Sequence, residues 1–304
     1  MTPVEGVLLV DKPEGPTSHD VVAVVRRCLR EKRVGHAGTL DPLATGLLVL
    51  MIGRATRLAS LLSGVDKTYR GIIRLGQSTD TYDRAGVPDG APRPVTATRA
   101  DLESLIDRSR GTVLQTPPVF SAKKVHGTPM YRLARRHRPV TPVPAQVTFR
   151  RLELLAYADG DLEIEAEVSA GTYLRSFAHD LGQALGCGAH LHSLRRIAAG
   201  SFQVEDALTL AAIESLGPAL ADRVLPLDNV PLGMPTLRLT NAGAHAVKHG
   251  RPCGLGDLST PPPIPPGRCR LQGPEGRLVA IAEVVLAGPP EARPVIRPQI
   301  VFSR

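Results

Sequence analysis

The chain has 304 residues, 42% of them hydrophobic, with 37 Lys+Arg against 29 Asp+Glu and a net charge of +8. No run approaches the roughly 18 apolar residues of a membrane-spanning helix, and Glu5 and Asp11 stand where a signal peptide would have a basic then an apolar region. The four cysteines (Cys28, Cys187, Cys253 and Cys269) form no CxxC pair and no metal spacing with histidine, which points to free thiols in a reducing compartment, the cytoplasm.

Residues 6–11 (GVLLVD) read as a short strand. Pro13, Gly15 and Pro16 then turn the chain, and Thr17 or Ser18 can cap a helix to about residue 31. Lys12, on this turn beside a helix start, suits a phosphate or is an exposed turn lysine. Residues 35–46 (GHAGTLDPLATG) place one carboxylate, Asp41, in a turn rich in glycine, with His36 five residues before it. The apolar run 47–52 reads as a buried strand, so this turn leads straight into the core. Its carboxylate closes the turn, or serves as base, metal ligand or nucleophile. A metal is disfavoured, because no second Asp, Glu or His lies at ligand spacing nearby.

Residues 68–76 alternate Tyr69, Gly71, Ile73 and Leu75 against Arg70, Ile72 and Arg74, the pattern of a half-buried strand with arginines outward. The chain has five Phe, five Tyr and no Trp. Tyr69, between Lys67 and Arg70, is therefore either a cross-strand core residue or a platform for an unstacked base. Residues 84–97 form a Gly/Pro loop, and Thr98 opens a helix to residue 108. Lys124 and the run 132–138 (RLARRHR) are basic. Helical spacing of Arg132, Arg135 and Arg136 makes one basic face, able to follow a phosphate backbone or simply solvated.

Strands at 147–156 and 162–168 flank an Asp159-Gly160 turn, the second with Glu163, Glu165 and Glu167 on a solvated face. Helices are expected over 173–185 and 208–216. Arg175 falls in the first turn of the earlier one, at the positive end of the helix dipole, where either a carboxylate or phosphate compensates it or it is a surface arginine in solvent. Arg195 and Arg196, after Leu194, add a further basic pair. Pro231 and Pro235 mark a boundary near 230–236. A Pro-rich loop covers 254–267, and strands at 268–272, 277–285 and 295–302 make a small β-rich domain. Strands and helices in mixed order argue for an α+β main domain. From residue 231 on there are 9 Lys+Arg and 4 Asp+Glu, against 28 and 25 before it. A basic C-terminal quarter suits an anionic partner such as nucleic acid.

Five stretches, taken together and in order, resemble the TruB family of tRNA pseudouridine synthases. They are 6–18 (GVLLVDKPEGPTS), 34–48 (VGHAGTLDPLATGLL), 66–83 (DKTYRGIIRLGQSTDTYD), 116–135 (TPPVFSAKKVHGTPMYRLAR) and 171–196 (GTYLRSFAHDLGQALGCGAHLHSLRR). The resemblance implies a catalytic domain over 1–230, α+β with a mixed, largely antiparallel sheet flanked by helices. It implies a small β-barrel-like PUA domain, binding RNA, over 236–304. It also implies isomerisation of uridine to pseudouridine at position 55 in the TΨC loop of tRNA. Asp41 would be the catalytic carboxylate, attacking C1′ or removing a sugar proton. Tyr69 would stack on the flipped base and act on its C5 proton. Arg175 would pair with Asp41, lower its pKa and keep it ionised.

The same resemblance assigns substrate binding to His36 and Leu194, and Lys12 joins them as a substrate-binding candidate from its turn beside a helix start. RNA-backbone contacts are expected from the basic residues Lys124, Arg132, Arg135, Arg136, Arg195 and Arg196. The resemblance calls for no metal, no cofactor and no obligate protein partner. Phe120 stands where the family usually has tyrosine, and Lys123 where it usually has an apolar residue. Two alternatives have other requirements. A guide-RNA-dependent, dyskerin-like synthase usually carries extra sequence ahead of the DKP motif, which here begins at Asp11. A non-catalytic tRNA-binding or folding factor would not need Asp41.

Overall fold

The computed structural model describes residues 4–121, 123–125, 127–134, 136, 141–259, 266–286 and 294–302. β1 (Gly6–Lys12) runs into a turn that opens α1 (Ser18–Leu29). The Thr17 hydroxyl accepts from the Asp20 amide and the Asp20 carboxylate accepts from the Thr17 amide. This capping box satisfies donors that the first helical turn leaves free. β2 (Val34–His36) and β3 (Thr45–Ile52) bracket the Asp41 turn. β3 is buried from Gly46 to Ile52, as its unbroken apolar run requires.

β4 (Lys67–Leu75), α2 (Arg99–Ser109), β5 (Gly111–Gln115), β6 (Ala145–Ala158), β7 (Asp161–Val168), α3 (Leu174–Ala184) and β8 (Ala189–Ala199) follow. Asp159 and Gly160 both have positive φ in the β6–β7 turn, the conformation that Asp-Gly favours in tight hairpins. α4 (Leu210–Leu216) starts from Thr209, whose side chain caps it, while Leu208 and Thr209 pair with β1. The helix expected over 208–216 is therefore shorter, because its first two residues are sheet.

With two short strands at Phe202–Gln203 and Leu225–Pro226, these form one mixed sheet of 11 strands among the described residues, with the path Leu208–Thr209, β1, β3, β8, β4, β7, β6, β5. β3 and β8 run parallel, whereas β8–β4, β4–β7, β7–β6 and β6–β5 are antiparallel. α2 and α3 cover part of the sheet through Leu102, Ile106, Phe177 and Leu181, packed with Ile73 and Phe149. α1 and α4 pack through Val21, Val25 and Ile213 against Leu48 and Leu50. The solvated face expected of β7 is interrupted at Glu165, which is buried because Arg70 and Arg151 both hold its carboxylate.

The C-terminal unit has β9 (Thr236–Arg238), α5 (Asn241–Lys248), β10 (Gly267–Gln272), β11 (Leu278–Leu286) and β12 (Pro294–Val301). Its sheet has four strands in that order. The expected strands are present, and β9 and α5 are additional. Residues 260–265 of the Pro-rich loop lie outside the described residues. Leu278, Ile281 and Phe302 share one core with Val7, Met51, Leu58 and Leu227 of the larger unit. No helix among the described residues is long and apolar enough to cross a membrane.

Candidate active site

The Asp41 turn is held from below by two buried cations. Lys12 is fully buried and its ammonium donates to the carbonyls of Pro13 (2.9 Å), Pro16 (2.8 Å) and Pro42 (3.3 Å). Arg196, 1% exposed, donates to Leu47 O at 2.6 Å and Gly38 O at 3.1 Å. Together they tie the 13–16 turn, the Asp41 turn and β3 into one rigid body. Burial pushes the Lys12 pKa down to about 8, with Asp41 the largest influence opposing it.

The Asp41 side chain stays 39% exposed, and its Oδ2 lies 3.0 Å from Arg175 Nε in an ion pair without hydrogen-bond alignment. Arg175 itself is buried in the first turn of α3. Its Nη1 donates to Thr81 O at 3.1 Å and lies 3.5 Å from Asp83 Oδ2, and its Nη2 donates to Phe120 O at 2.9 Å. The cation at the wrong end of the helix dipole thus meets two carboxylates and two carbonyls. Phe120 contributes only its carbonyl, so a missing tyrosine hydroxyl does not affect this contact.

Arg175 acts on the Asp41 pKa in the expected, lowering direction, but the net shift is upward. Asp41 sits at the floor of a cavity walled by protein, and loss of hydration raises its pKa. Arg175 opposes that rise, and Asp83, the second carboxylate, adds to it. One arginine shared between two acids does not offset the desolvation of Asp41.

The cavity over Asp41 holds about 220 Å³ and is lined by Asp41, Arg175, Tyr69, Leu194, Lys67 and Tyr173 among others. Its walls are neighbouring strands: Tyr69 on β4 pairs with Arg196 on β8, and Gly71 pairs with Leu194. A Cβ on Gly71 would come within 3.2 Å of Leu194 Cδ1, so the glycine leaves Leu194 its room. An apolar and aromatic wall facing a carboxylate–guanidinium floor suits one flat, polar ring attached to an electrophilic carbon. Such a size lies below the roughly 300–1,000 Å³ of a drug-sized pocket.

A family model described as TruB family pseudouridylate synthase (N terminal domain) matches residues 26–174, and the tRNA pseudouridylate synthase B C-terminal domain model matches residues 175–230. The chain belongs to the TruB family. It is 45% identical over 285 residues to tRNA pseudouridine synthase B of Solibacter usitatus, covering 93% of this chain and 97% of that one. It is 40% identical over 299 residues to the protein of the same name from Stutzerimonas stutzeri, covering 97% and 96%. Among solved structures, it resembles a chain of an H/ACA RNP bound to a substrate RNA containing 2'-deoxyuridine. The TM-score is 0.75 at 22% identity, over 98% of this chain and 85% of the other. A chain of a Cbf5-Nop10-Gar1 complex gives 0.74 at 24% identity, over 98% and 84%. At that identity the likeness is one of fold.

Within this TruB chain, the geometry gathers Asp41, Tyr69, Arg175, Leu194 and Arg196 around one cavity and gives other expected residues different settings. Lys12 is enclosed by carbonyls and offers nothing to an external phosphate. Arg196, 1% exposed, lines the same cavity from below and cannot follow an RNA backbone over the surface. Arg195 is 43% exposed and paired through both guanidinium nitrogens with Asp11 (3.0 and 2.8 Å). His36 stands outside the cavity lining, its ring edge-on to His19 with centroids 5.5 Å apart, and burial lowers its pKa.

Of the basic face expected of Arg132, Arg135 and Arg136, two residues are described: Arg132 is exposed on the helix Met130–Ala134 and Arg136 is exposed in the turn beyond. Arg135 lies outside the described residues, as does the Lys124 side chain, whose backbone pairs with Pro129 in a short hairpin. Two contributors were not expected at all. Asp83 is 5% exposed on Arg175, and Lys67 is 6% exposed at the cavity edge, pushed down to about 8 by burial. An acid spaced two residues from Thr81 in DTYD was the available signal for Asp83. Among the described residues, no three His, Cys, Asp or Glu are grouped to hold a metal ion.

Proposed function

We propose that this chain is a stand-alone tRNA pseudouridine synthase that isomerises uridine at position 55 of the TΨC loop. The observation that carries the reading is Asp41, 3.0 Å from buried Arg175, on the floor of a cavity walled by Tyr69 and Leu194. In the reaction the N1–C1′ bond breaks, the uracil turns, and C5–C1′ forms. The C5 proton is lost and N1 gains one, so nothing is oxidised and nothing leaves.

A base in a stacked loop is out of reach and must flip, at a cost of a few kcal/mol. Stacking on Tyr69 returns about 1–3 kcal/mol. The sugar then lies over Asp41, whose carboxylate acts at the ribose while Arg175 holds it in place. Tyr69 lies against the base and serves the C5 proton. Arg132, Arg136 and Arg195 supply phosphate contacts that position the RNA without reading sequence, with Lys124 and Arg135 in the same basic segment. The C-terminal unit, with its excess of Lys and Arg, acts as a PUA-like RNA-binding module. The enzyme works in the cytoplasm on tRNA, without cofactor or obligate protein partner.

The test is purified chain with an unmodified tRNA transcript and no other protein, followed by modification mapping. Pseudouridine is expected at position 55. Asp41→Asn should lower turnover by about 10⁴-fold or more while tRNA affinity stays within a few-fold. Turnover retained by Asp41→Asn would falsify the assignment. Activity appearing only with a guide RNA would favour the guide-dependent alternative, and tight binding with no turnover by the unaltered chain would favour the folding factor.

A further inference from the structure

Three described non-glycine residues have positive φ: Arg30, Tyr82 and Asp159. Arg30 ends α1 and Asp159 sits in the hairpin turn, both places where that conformation is at home. Tyr82, at φ 64°, is in neither. A bulky side chain avoids this region, so its surroundings must hold it there.

The Tyr82 ring lies on the His179 ring, with centroids 3.8 Å apart and planes 18° from parallel. His179 is on α3, one turn beyond Arg175. The residues on either side of Tyr82 both meet that arginine: Thr81 O accepts from Nη1 at 3.1 Å, and Asp83 Oδ2 is 3.5 Å from the same nitrogen. The Tyr82 carbonyl accepts from the Leu191 amide of β8 at 3.0 Å. Residues 81–83 are thus pinned to α3 by a ring, to Arg175 by both flanks and to β8 by the backbone.

We infer that the Tyr82–His179 stack is a positioning device that sets Thr81 and Asp83 in register on Arg175, and through it fixes the guanidinium that Asp41 meets. Neither ring touches the cavity. The buried His179 Nδ1 has no hydrogen-bond partner among the described residues, so the ring face, not its polar edge, engages Tyr82. Phenylalanine should therefore serve at either position. The kinetic consequence rests on the pseudouridine synthase reading, whereas the ordering of residues 81–83 does not.

The experiment compares Tyr82→Ala, Tyr82→Gly, His179→Ala and the double Ala variant with Tyr82→Phe and His179→Phe. Each is measured for kcat and KM on unmodified tRNA and for amide hydrogen exchange at Arg84 and Leu191. The Ala and Gly variants should lose about 10- to 100-fold in kcat with KM little changed. Their two amides should exchange faster, and the double variant should be no worse than the worse single. Both Phe variants should keep kcat and protection. Glycine is at ease at positive φ, so near-normal kcat in Tyr82→Gly would mean that the ring is dispensable and overturn the inference. So would additive losses, losses confined to KM, or Phe variants as impaired as Ala. If the unaltered chain makes no pseudouridine, the function reading fails and exchange alone decides: protection unchanged in the Ala variants removes the device, and lost protection restored by Phe keeps it.

Discussion

Asp41 has neighbours of both signs. Arg175 favours its ionised form, while Asp83 and the surrounding protein disfavour it, and the surroundings dominate. A carboxylate that acts on a sugar must be ionised. The ionised form prevails above the raised pKa and is lost as pH falls through it. Turnover should therefore show an acid limb above the ordinary aspartate range. Asp83→Asn removes a charge that raises the Asp41 pKa, so the limb should move to lower pH. The plateau should drop at the same time, because Arg175 loses a partner. A kcat profile against pH reads both, and a limb that stays in place or moves up would contradict the sign. Asp41, Tyr69 and Arg175 each stand out locally, as an Asp-Pro turn before a core strand, an aromatic between cations and a cation at a helix start, but each also has an ordinary structural reading, and only the family resemblance joins them. Lys12 and Arg196 were misread for a matching reason. Their acceptors include carbonyls 30, 149 and 158 positions away, and a sequence pattern does not report such distances.

β8 shows the same limit for an element. It lies between β3 and β4 and carries Leu194, Arg195 and Arg196, yet the sequence suggests no strand there. His190, His192 and the arginines hide its alternation, and shifts of register at 191–193 and 196–198 break the period of two. β6 and β7, with a clean alternation and an Asp-Gly turn, were legible. β8 also explains Gly46, whose φ is 95° and whose Cβ would come within 2.2 Å of Arg196 O. The parallel contact of β3 with β8 needs that approach. Gly46→Ala should cost about 3 kcal/mol through backbone strain and overpacking. Gly15→Ala is the comparison, since Gly15 also has positive φ (108°) but has nothing within 4 Å of its Cβ position. It should cost about 1–2 kcal/mol, from strain alone. Urea unfolding measures both, and equal losses would show that the β3–β8 approach is not what requires the glycine.

At the scale of the whole molecule, prolines at 231 and 235 suggest a linker and a detachable C-terminal module, whereas the described contacts are those of one body. Ile281 on β11 is 1% exposed, and Leu278 and Phe302 pack beside it in the core that includes Val7, Met51 and Leu58. Arg54, paired with Glu5, donates to Phe302 O, and Arg57 donates to Val301 O. From the other side Arg270 donates to the carbonyls of Val230 and Asp228, and the Asp228 carboxylate accepts from the Leu278 amide. A linker read from proline content says where the chain bends, not whether the two sides share apolar surface. Deleting residues 236–304 would therefore strip a core as well as a basic surface, and a loss of tRNA binding in that variant would not isolate the module's contact with RNA. A single substitution separates the two. Ile281→Ala should cost about 2–5 kcal/mol and, if the core is common, should lower the melting midpoint of the whole chain in one transition. Calorimetry with far-UV and near-UV circular dichroism on the same sample reads this. Two resolved transitions, with only one moved by the substitution, would mean that the units fold independently despite their contact.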